Sequence, residues 1–140
     1  MSRTTDDLSA EALQMLSEYH LASLATVRAN GTPHVVAVGF TFDAEAGKAR
    51  VITFEGSQKV RNADRGGYGA LTHVDGPRWL TFEGPMVVKR DAVSVADGEA
   101  RYAARYRKPQ PNPKRVVLEM SIERVLGSAG MFKSTADAPS

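Results

Sequence analysis

The Asn30-Gly31 pair constrains the fold most, because it stands between two runs rich in β-forming residues. The run before it is His20 to Arg28, and the run after it, Thr32 to Phe42, reads TPHVVAVGFTF. Asparagine and glycine both tolerate positive φ, so a two-residue turn between such runs predicts a β-hairpin. A turn at Asp43 to Gly47 then leads to a third run, Lys48 to Phe54. We therefore expect a meander of three antiparallel strands.

The rest of the chain adds strands and helices with short connections. Alternating apolar residues predict further strands at Tyr68 to Val74, Arg78 to Lys89 and Arg115 to Arg124. Helical spacing predicts helices at Ser9 to Tyr19, Ser57 to Arg65 and Asp91 to Tyr106. Gly39 and Gly84-Pro85 predict a bulge, a bend or a close approach, and the prolines of RKPQPNPK exclude regular structure. Hairpin-length connections favour an antiparallel barrel over βαβ units, and so a mainly β (α+β) fold.

Length and composition limit the classes of function. A chain of 140 residues has the length of one domain, so we expect a single domain over residues 1–140. Residues 1–7 and about 128–140 are expected to be flexible, the latter within a thin polar tail that starts at Val125. The net charge of only +2 does not indicate a general polyanion binder, so we expect no nucleic acid as a partner. No apolar run approaches the ~20 residues of a membrane span, so we expect no membrane either. The absence of cysteine and of a signal-like apolar run fits a cytoplasmic protein.

The stretch Val51 to Arg65, VITFEGSQKVRNADR, is the strongest local signal for function. It reads as a strand, a tight turn and the start of a helix. The polar residues of that helix start are Ser57, Gln58, Lys59, Arg61, Asn62 and Arg65. Free N–H groups and cationic side chains at such a junction suit an anionic group, and we predict the phosphate of a large cofactor. The alternative is an ordinary solvated helix start, and the stretch holds neither a Walker loop nor a GxGxxG motif.

Other candidate residues have simpler alternatives. His34 could face a ligand, but a strand-end histidine bonded to a neighbour is more common. His73 and Asp75 share a strand face, yet without an HxH or HExxH pattern we expect no metal site. Arg78 and Trp79 offer an anion contact and a flat apolar wall, or only a surface arginine beside a core tryptophan. The cations of RYAARYRKP could form a nucleic-acid or polyanion patch, but they also fit the usual preference of a helix C-terminus, which we favour.

Several segments together resemble one family. They are the NG hairpin, TPHVVAVGFTFD, VITFEGSQKVRNADR, HVDGPRWLTFEG and RYRKPQPNPKRVVLEMSIERVLG. Over roughly Leu8 to Gly127 the chain resembles the split β-barrel flavin and deazaflavin oxidoreductases, the pyridoxamine 5′-phosphate oxidase-like superfamily. Within it the chain is most similar to the actinobacterial F420-dependent biliverdin reductases. The resemblance implies a six-stranded antiparallel split β-barrel with two to three short helices, and a homodimer with the cofactor in a groove between subunits.

The resemblance also implies which residues bind the cofactor. The deazaflavin ring would be bordered by the backbone of His34, Val35, Val36, Ala37 and Val38. The ring and ribityl chain would be flanked by Ile52, Thr53 and Phe54. The phosphate would be held by Gln58 and Lys59, with help from Ser57, Arg61 and Asn62. The site would be closed by Asp75, Gly76, Pro77, Arg78 and Trp79.

The implied function is an enzyme that transfers a hydride from reduced coenzyme F420 to biliverdin, giving bilirubin, or to a similar conjugated substrate. The catalytic residue is unassigned, with Arg78 or a bound water as candidates for the proton donor. Two alternatives stay open, namely an FMN-dependent oxidoreductase and a non-catalytic protein that binds F420 or a tetrapyrrole. Glu55 departs from the family pattern, and its charge either points to solvent or faces the groove and weakens binding of an anionic cofactor tail.

Overall fold

Eight strands and three α-helices make up most of residues 2–134, the part of the chain that this computed structural model describes. The strands are β1 (Ala22–Val27), β2 (Pro33–Val38), β3 (Phe40–Asp43), β4 (Lys48–Phe54), β5 (Tyr68–Asp75), β6 (Arg78–Lys89), β7 (Arg115–Ser121) and β8 (Arg124–Gly127). The helices are α1 (Ala10–Ser17), α2 (Gln58–Asp64) and α3 (Ala92–Arg105), with short 3-10 turns at Thr5–Asp7 and Ala129–Met131. The mainly β (α+β) class predicted from the sequence is confirmed.

The strands pair antiparallel in the order β2-β1-β5-β6-β7-β4-β3, and β8 pairs with β6. The hairpin at Asn30-Gly31 is confirmed, since Gly31 has a φ of 88° and β1 pairs with β2 along its whole length. Both pairings expected for the meander are present, but different halves of the Thr32 to Phe42 run make them. Its first half, β2, pairs with β1, whereas its second half, β3, pairs with β4. β2 and β3 therefore lie at opposite ends of the strand order.

Gly39 separates the two halves, and its missing side chain admits two tyrosine rings. A Cβ at Gly39 would lie 3.1 Å from ring carbons of both Tyr102 and Tyr106. The Tyr106 hydroxyl accepts from the Phe40 N–H at 3.1 Å and lies 2.8 and 2.9 Å from the carbonyls of Phe40 and His20. The expected close approach at Gly39 is thus confirmed, and the approaching groups are aromatic rings from the end of α3.

The core lies on the inward faces of the strands, where side chains alternate with outward ones as strand geometry requires. Its large members are Leu24, Phe40, Leu71, Phe82, Leu118 and Met120, all 1% exposed or less. Helix α1 adds the buried Ala12, Met15 and Leu16. Arg105 is buried beside them and donates to the carbonyls of Glu18 and Phe40 at 2.7 Å, so its polar groups are satisfied.

The C-terminal part differs from the sequence prediction. The expected strand Arg115 to Arg124 divides into β7 and β8, and β6 changes partner from β8 to β7 around Gly84-Pro85. Val125, Met131 and Phe132 are buried, so a polar tail from Val125 is wrong as far as Phe132. These three apolar residues return this part of the chain to the core. The expected flexibility stays a prediction, and residues 135–140 lie outside the described part.

Within residues 2–134, no helix combines the length and the apolar character needed to cross a lipid bilayer.

Candidate functional site

A cavity of about 360 Å³ opens where β4, the end of β2, α2 and the end of α3 meet. It is lined by Ala37, Val38, Gly39, Ile52, Thr53, Phe54, Lys59, Tyr102, Arg107, Lys108, Pro109, Gln110, Pro111, Asn112 and Arg115. Six of the residues predicted to bind the cofactor are brought together here, namely Ala37, Val38, Ile52, Thr53, Phe54 and Lys59. A cavity with an apolar wall and a few convergent polar groups is the usual form of a small-molecule site.

Lys59 supplies the free positive charge on the α2 side of the cavity. Its ammonium lies 5.7 Å from the centre of the Phe54 ring. No ion pair within residues 2–134 involves Lys59. Burial lowers the pKa of Lys59, because the charged form loses hydration without gaining a carboxylate. An anionic ligand group beside Lys59 would restore that lost stabilisation.

The other residues at the start of α2 are partly used within the protein. Ser57 is the N-cap, but its side chain makes no capping bond and its Oγ lies 3.5 Å from Thr53 Oγ1. The Gln58 amide donates to Asn62 Oδ1 at 2.8 Å and accepts from Arg61 at 2.7 Å. Ser57 therefore keeps more free hydrogen-bonding capacity than Gln58 or Arg61.

Asn62 is buried and anchors α2 to β1. Its amide nitrogen donates to Thr26 Oγ1 at 2.9 Å, and its oxygen also accepts from Arg65 at 3.0 Å. Arg65 in turn donates to the Val27 carbonyl. These bonds fix the helix that carries Lys59, and Asn62 itself does not line the cavity.

His34 lies on β2 opposite Thr26, close to the same cationic groups. Burial is the main cause that lowers the pKa of His34, with Arg28, Lys59 and Arg61 adding to it, and the neutral imidazole is therefore favoured. Its Nδ1 is buried and has no hydrogen-bond partner in residues 2–134. The common alternative of a histidine bonded to a neighbour through this nitrogen therefore does not apply. Val36 packs against the core beside it, whereas Val35 faces outward.

The Asp75 to Trp79 hairpin does not line this cavity. Gly76 has a φ of 60°, which the tight turn between β5 and β6 requires. Arg78 donates to Asp75 and, at 3.3 Å, to Glu18. Those hydrogen bonds raise the pKa of Arg78, with Asp75 the larger cause. Trp79 instead borders a separate shallow surface with Leu126 and Phe132.

One cluster near this hairpin has the composition of a metal site. A ligand atom from each of Glu18, His20 and Asp75 lies within 4.8 Å of the others. The Arg78 guanidinium contacts the same two carboxylate oxygens, Glu18 Oε1 and Asp75 Oδ2. A protein cation therefore already supplies positive charge at the centre of this cluster.

Glu55 faces away from the cavity. Its carboxylate accepts from Arg90 at 2.6 Å, and Arg90 also pairs with Asp64 on α2 at 2.7 Å. The negative charge of Glu55, which departs from the family pattern, is therefore balanced by Arg90 outside the cavity.

Sequence reasoning missed the far wall of the cavity. That wall consists of Tyr102, residues 107–112 and Arg115. The sequence predicts that this segment is irregular and that Arg107 and Lys108 are the usual cations of a helix C-terminus, with a polyanion patch as the alternative. Two adjacent cations beside alternating prolines were the readable signal for a cavity wall. Neither the sequence spacing nor a helical pattern could show that this segment folds back beside β4.

Comparison with known proteins agrees with this architecture. A family model described as pyridoxamine 5′-phosphate oxidase matches residues 8–129. The chain belongs to this family. Among its relatives is a protein of Mycobacterium tuberculosis (strain CDC 1551 / Oshkosh) named F420H(2)-dependent biliverdin reductase, 60% identical over 132 residues, which covers 94% of this chain and 96% of that protein.

Two solved structures have a similar fold. A conserved hypothetical protein from Mycobacterium tuberculosis superposes with a TM-score of 0.74 at 21% identity, over 90% of this chain and 89% of the other. A protein described as an F420 reductase superposes with a TM-score of 0.67 at 25% identity, over 81% of this chain and 94% of the other.

Proposed function

We propose that this protein is an enzyme that uses reduced coenzyme F420 to reduce biliverdin to bilirubin. The observation that carries the proposal is the 60% identity, over 94% of the chain, to the relative named F420H(2)-dependent biliverdin reductase. The cavity supports the proposal. Its apolar strand wall suits the flat ring of a cofactor, and its unpaired lysine suits an anionic group on the same cofactor.

The residues present fit this cofactor. The ring and ribityl chain are assigned to the wall formed by Ile52, Thr53 and Phe54, and Ala37 and Val38 line the same cavity. Lys59, with Ser57 and Gln58, is assigned to the phosphate. Arg61 and Asn62 support these residues through the bonds that fix α2. When bound, reduced F420 supplies the hydride, while the chain's own residues orient the ring and exclude water.

The backbone of β2 supports a place for the ring beside His34, Val35 and Val36. β2 is at one end of the strand order and pairs only with β1 in the described part of the chain. Its other edge therefore offers free N–H and C=O groups, which can hydrogen-bond a heterocycle. We assign the ring-bordering role to this edge, and the neutral imidazole of His34 lies next to it.

The sheet topology supports the six-stranded split barrel. β2 and β3 are separated in the chain only by Gly39, and they form the two ends of the strand order. We propose that they act as one bent strand, which closes a barrel of six strands with β8 as a short addition.

An apolar outward face of the sheet supports the homodimer. Ala22 and Leu24 of β1 are buried, so the alternate residues on β1 and its neighbours face outward. Val35 and Val74 on this face are each 60% exposed. The same face also carries Val27, Trp79 and Leu126. Apolar patches of this kind mark interfaces. A partner subunit would also add a further wall to a cavity of about 360 Å³, which is small for so large a cofactor.

The hairpin from Asp75 to Trp79 fits this dimer. It does not line its own protomer's cavity, and Val74 and Trp79 place it on the outward apolar face. We propose that Asp75, Gly76, Pro77, Arg78 and Trp79 close the cavity of the partner subunit. Arg78 has a raised pKa, so we assign it to charge recognition of substrate carboxylates and not to proton donation.

Two measurements test the proposal. The purified protein is first titrated with F420 and with FMN by calorimetry. Biliverdin is then added to the reduced complex under anaerobic conditions. F420 should bind and the biliverdin absorbance should then decrease. Tight binding of FMN without binding of F420 would replace the proposal with the FMN-dependent alternative. Binding of F420 without loss of biliverdin absorbance would favour a non-catalytic binding protein.

A substitution locates the phosphate within the cavity. Lys59→Ala should raise the F420 dissociation constant about tenfold or more, since a charged hydrogen bond is worth ~1.5–3 kcal/mol. Lys133→Ala is the matched control, because Lys133 is exposed and does not line the cavity. An unchanged dissociation constant for Lys59→Ala would place the phosphate elsewhere.

A further inference from the structure

Residues 107–112, here called the proline segment, form a cavity wall without strand or helix bonds of their own. Pro109 and Pro111 lack N–H groups, so the segment depends on contacts from outside it. Arg115 provides two of them: its guanidinium donates to the Gln110 carbonyl, and its backbone N–H donates to the Asn112 carbonyl at 3.1 Å. The position of the segment therefore depends on where Arg115 is held.

Arg115 is held by Glu99 of α3. Its Nε donates to Glu99 Oε2 at 3.1 Å, and the Arg115 side chain is only 13% exposed. Gly98, next to Glu99, lets α3 approach the sheet closely, because a Cβ there would lie 2.7 Å from Val117 Cγ2 and 3.2 Å from Ile52 Cγ2. The close packing of α3 on the sheet thus sets the position of Glu99. Glu99 holds the Arg115 side chain, and Arg115 holds the proline segment.

The proline segment brings positive charge to the cavity. Arg107 and Lys108 both line it, and neither takes part in an ion pair within residues 2–134. Lys59 lines the same cavity from α2. Two separate cationic walls suit a ligand with more than one anionic group, since each group can then have its own partner.

We propose that Glu99 and Arg115 are positioning residues that hold the proline segment as a second cationic wall, so that the cavity prefers a ligand with several negative charges over one with a single phosphate. This inference rests on the proposed function. FMN ends in one phosphate, whereas F420 carries a phosphodiester followed by carboxylates. The Glu99–Arg115 pair would therefore set the preference between the two cofactors without touching either.

Limited proteolysis tests the positioning role without any cofactor. Trypsin can cleave after Arg107, whereas the Lys108-Pro109 bond resists it. Glu99→Gln should speed cleavage after Arg107 several-fold while the melting temperature stays near that of the wild type. Asp97→Asn is the matched control, because it removes an ion pair with Arg101 on the same helix, away from the proline segment. Equal cleavage rates in both variants would overturn the positioning role.

Calorimetry with F420 and with FMN tests the preference. Glu99→Gln should weaken F420 about fivefold and FMN less than twofold, and the double variant Arg107→Gln/Lys108→Gln should weaken F420 about tenfold with FMN again little changed. Equal losses for the two cofactors, or no loss of F420 affinity, would overturn the preference. Wild-type protein that binds no F420 would instead contradict the proposed function, while the proteolysis result would still decide the positioning role.

Discussion

Lys59 shows how a single residue gives the cavity its chemical character. It stands at the first turn of α2, over the Phe54 ring, with no carboxylate partner in the described residues. The neighbouring arginine on this side of the sheet, Arg90, is by contrast paired with both Glu55 and Asp64. The protein thus neutralises the nearby carboxylates with Arg90 and leaves Lys59 free. A lysine kept partly dehydrated and unpaired costs stability, which an anionic ligand would offset.

His73 is a second residue whose charge state depends on burial. It is 1% exposed, its Nδ1 lies 3.5 Å from Arg105, and its Nε2 has no partner in residues 2–134. Burial is the largest cause that lowers the pKa of His73 from 6.5 to about 4, and the charges of Arg105, His20 and Arg78 add to it. The imidazole is therefore neutral in the folded protein at neutral pH.

The stability of the protein should fall on mild acidification because of His73. The unfolded chain binds a proton at His73 below pH 6.5, whereas the folded chain does so only near pH 4. The contribution of His73 to the free energy of unfolding is therefore fully present above about pH 6.5 and is lost as the pH falls towards 4. Between pH 7 and pH 5 the loss should be about 2 kcal/mol. Urea unfolding at the two pH values measures it.

A His73→Gln variant separates this effect from other titrations. Glutamine can still accept from Arg105 but does not titrate, so its free energy of unfolding should change much less between pH 7 and pH 5. An equal loss in the variant and the wild type would show that other groups cause the pH dependence.

At the scale of elements, Gly39 decides how the second β run is used. The break there lets β2 and β3 pair with different strands, and the rings of Tyr102 and Tyr106 occupy the space of the missing side chain. Gly39→Ala should destabilise the protein by about 1–3 kcal/mol, because a Cβ 3.1 Å from both rings overpacks the site. F420 affinity should also fall, since Tyr102 lines the cavity. Thermal unfolding and calorimetry measure the two effects.

Gly130→Ala is the matched control for that substitution. Its Cβ would also meet an atom at 3.1 Å, but that atom is the end of the flexible Glu11 side chain, which can move. Its stability should stay within about 0.5 kcal/mol of the wild type. A neutral result for Gly39→Ala would mean that the tyrosines shift without cost and do not fix the break between β2 and β3.

Local patterns predicted most elements, because their causes are local. Alternation predicted β4 and β6 with their observed bounds, and the Asn30-Gly31 turn predicted the pairing of β1 with β2. The division at Gly39 was not predictable, since it depends on Tyr106 from 66 residues along the chain. The burial of Met131 and Phe132 likewise depends on distant partners, such as Leu8, which pairs with Phe132.

The β4–α2 side of the candidate site was predictable because its determinants are also local in the sequence. A strand, a glycine turn and a helix start are contiguous, so Ile52 to Lys59 could be placed together from the sequence. The proline segment reaches the cavity only through Arg115 and Glu99, and no spacing rule contains that contact. The hairpin at Arg78 was grouped with Lys59 through the family resemblance, and the structure places it outside this protomer's cavity.

At the scale of the whole molecule, one outward face of the sheet carries a row of uncharged residues. Cross-strand neighbours Ala37, Ser23, Thr72 and Thr81 carry no charge, and the Thr72 and Thr81 hydroxyls bond each other at 2.7 Å. Exposed valines flank this row, whereas the charged pairs around Arg50 and Arg101 lie on β3, β4, β7 and α3. The same face also carries the opposite charges of Glu83 and Arg124, whose side chains lie 3.9 Å apart. The uncharged row beside this pair suits a self-complementary interface.

The double variant Val35→Lys/Val74→Lys should convert a dimer into monomers. Each valine is 60% exposed in one protomer, so lysine there costs the folded monomer little, whereas a symmetric interface would have to bury four ammonium groups. The dimer dissociation constant, measured by analytical ultracentrifugation, should rise about hundredfold or more. Val93→Lys is the control, because Val93 is 79% exposed on α3, outside this face.

The same double variant connects assembly to the cofactor site. If the hairpin that carries Trp79 closes the partner's cavity, the monomer lacks the wall that this hairpin supplies, and its affinity for F420 should fall together with the loss of the dimer. Without any substitution, calorimetry on the wild type should show weaker F420 binding below the concentration at which the dimer dissociates than above it. A monomeric variant that binds F420 as tightly as the wild type would mean that each cavity is complete by itself. A variant that remains dimeric would place the interface on another face.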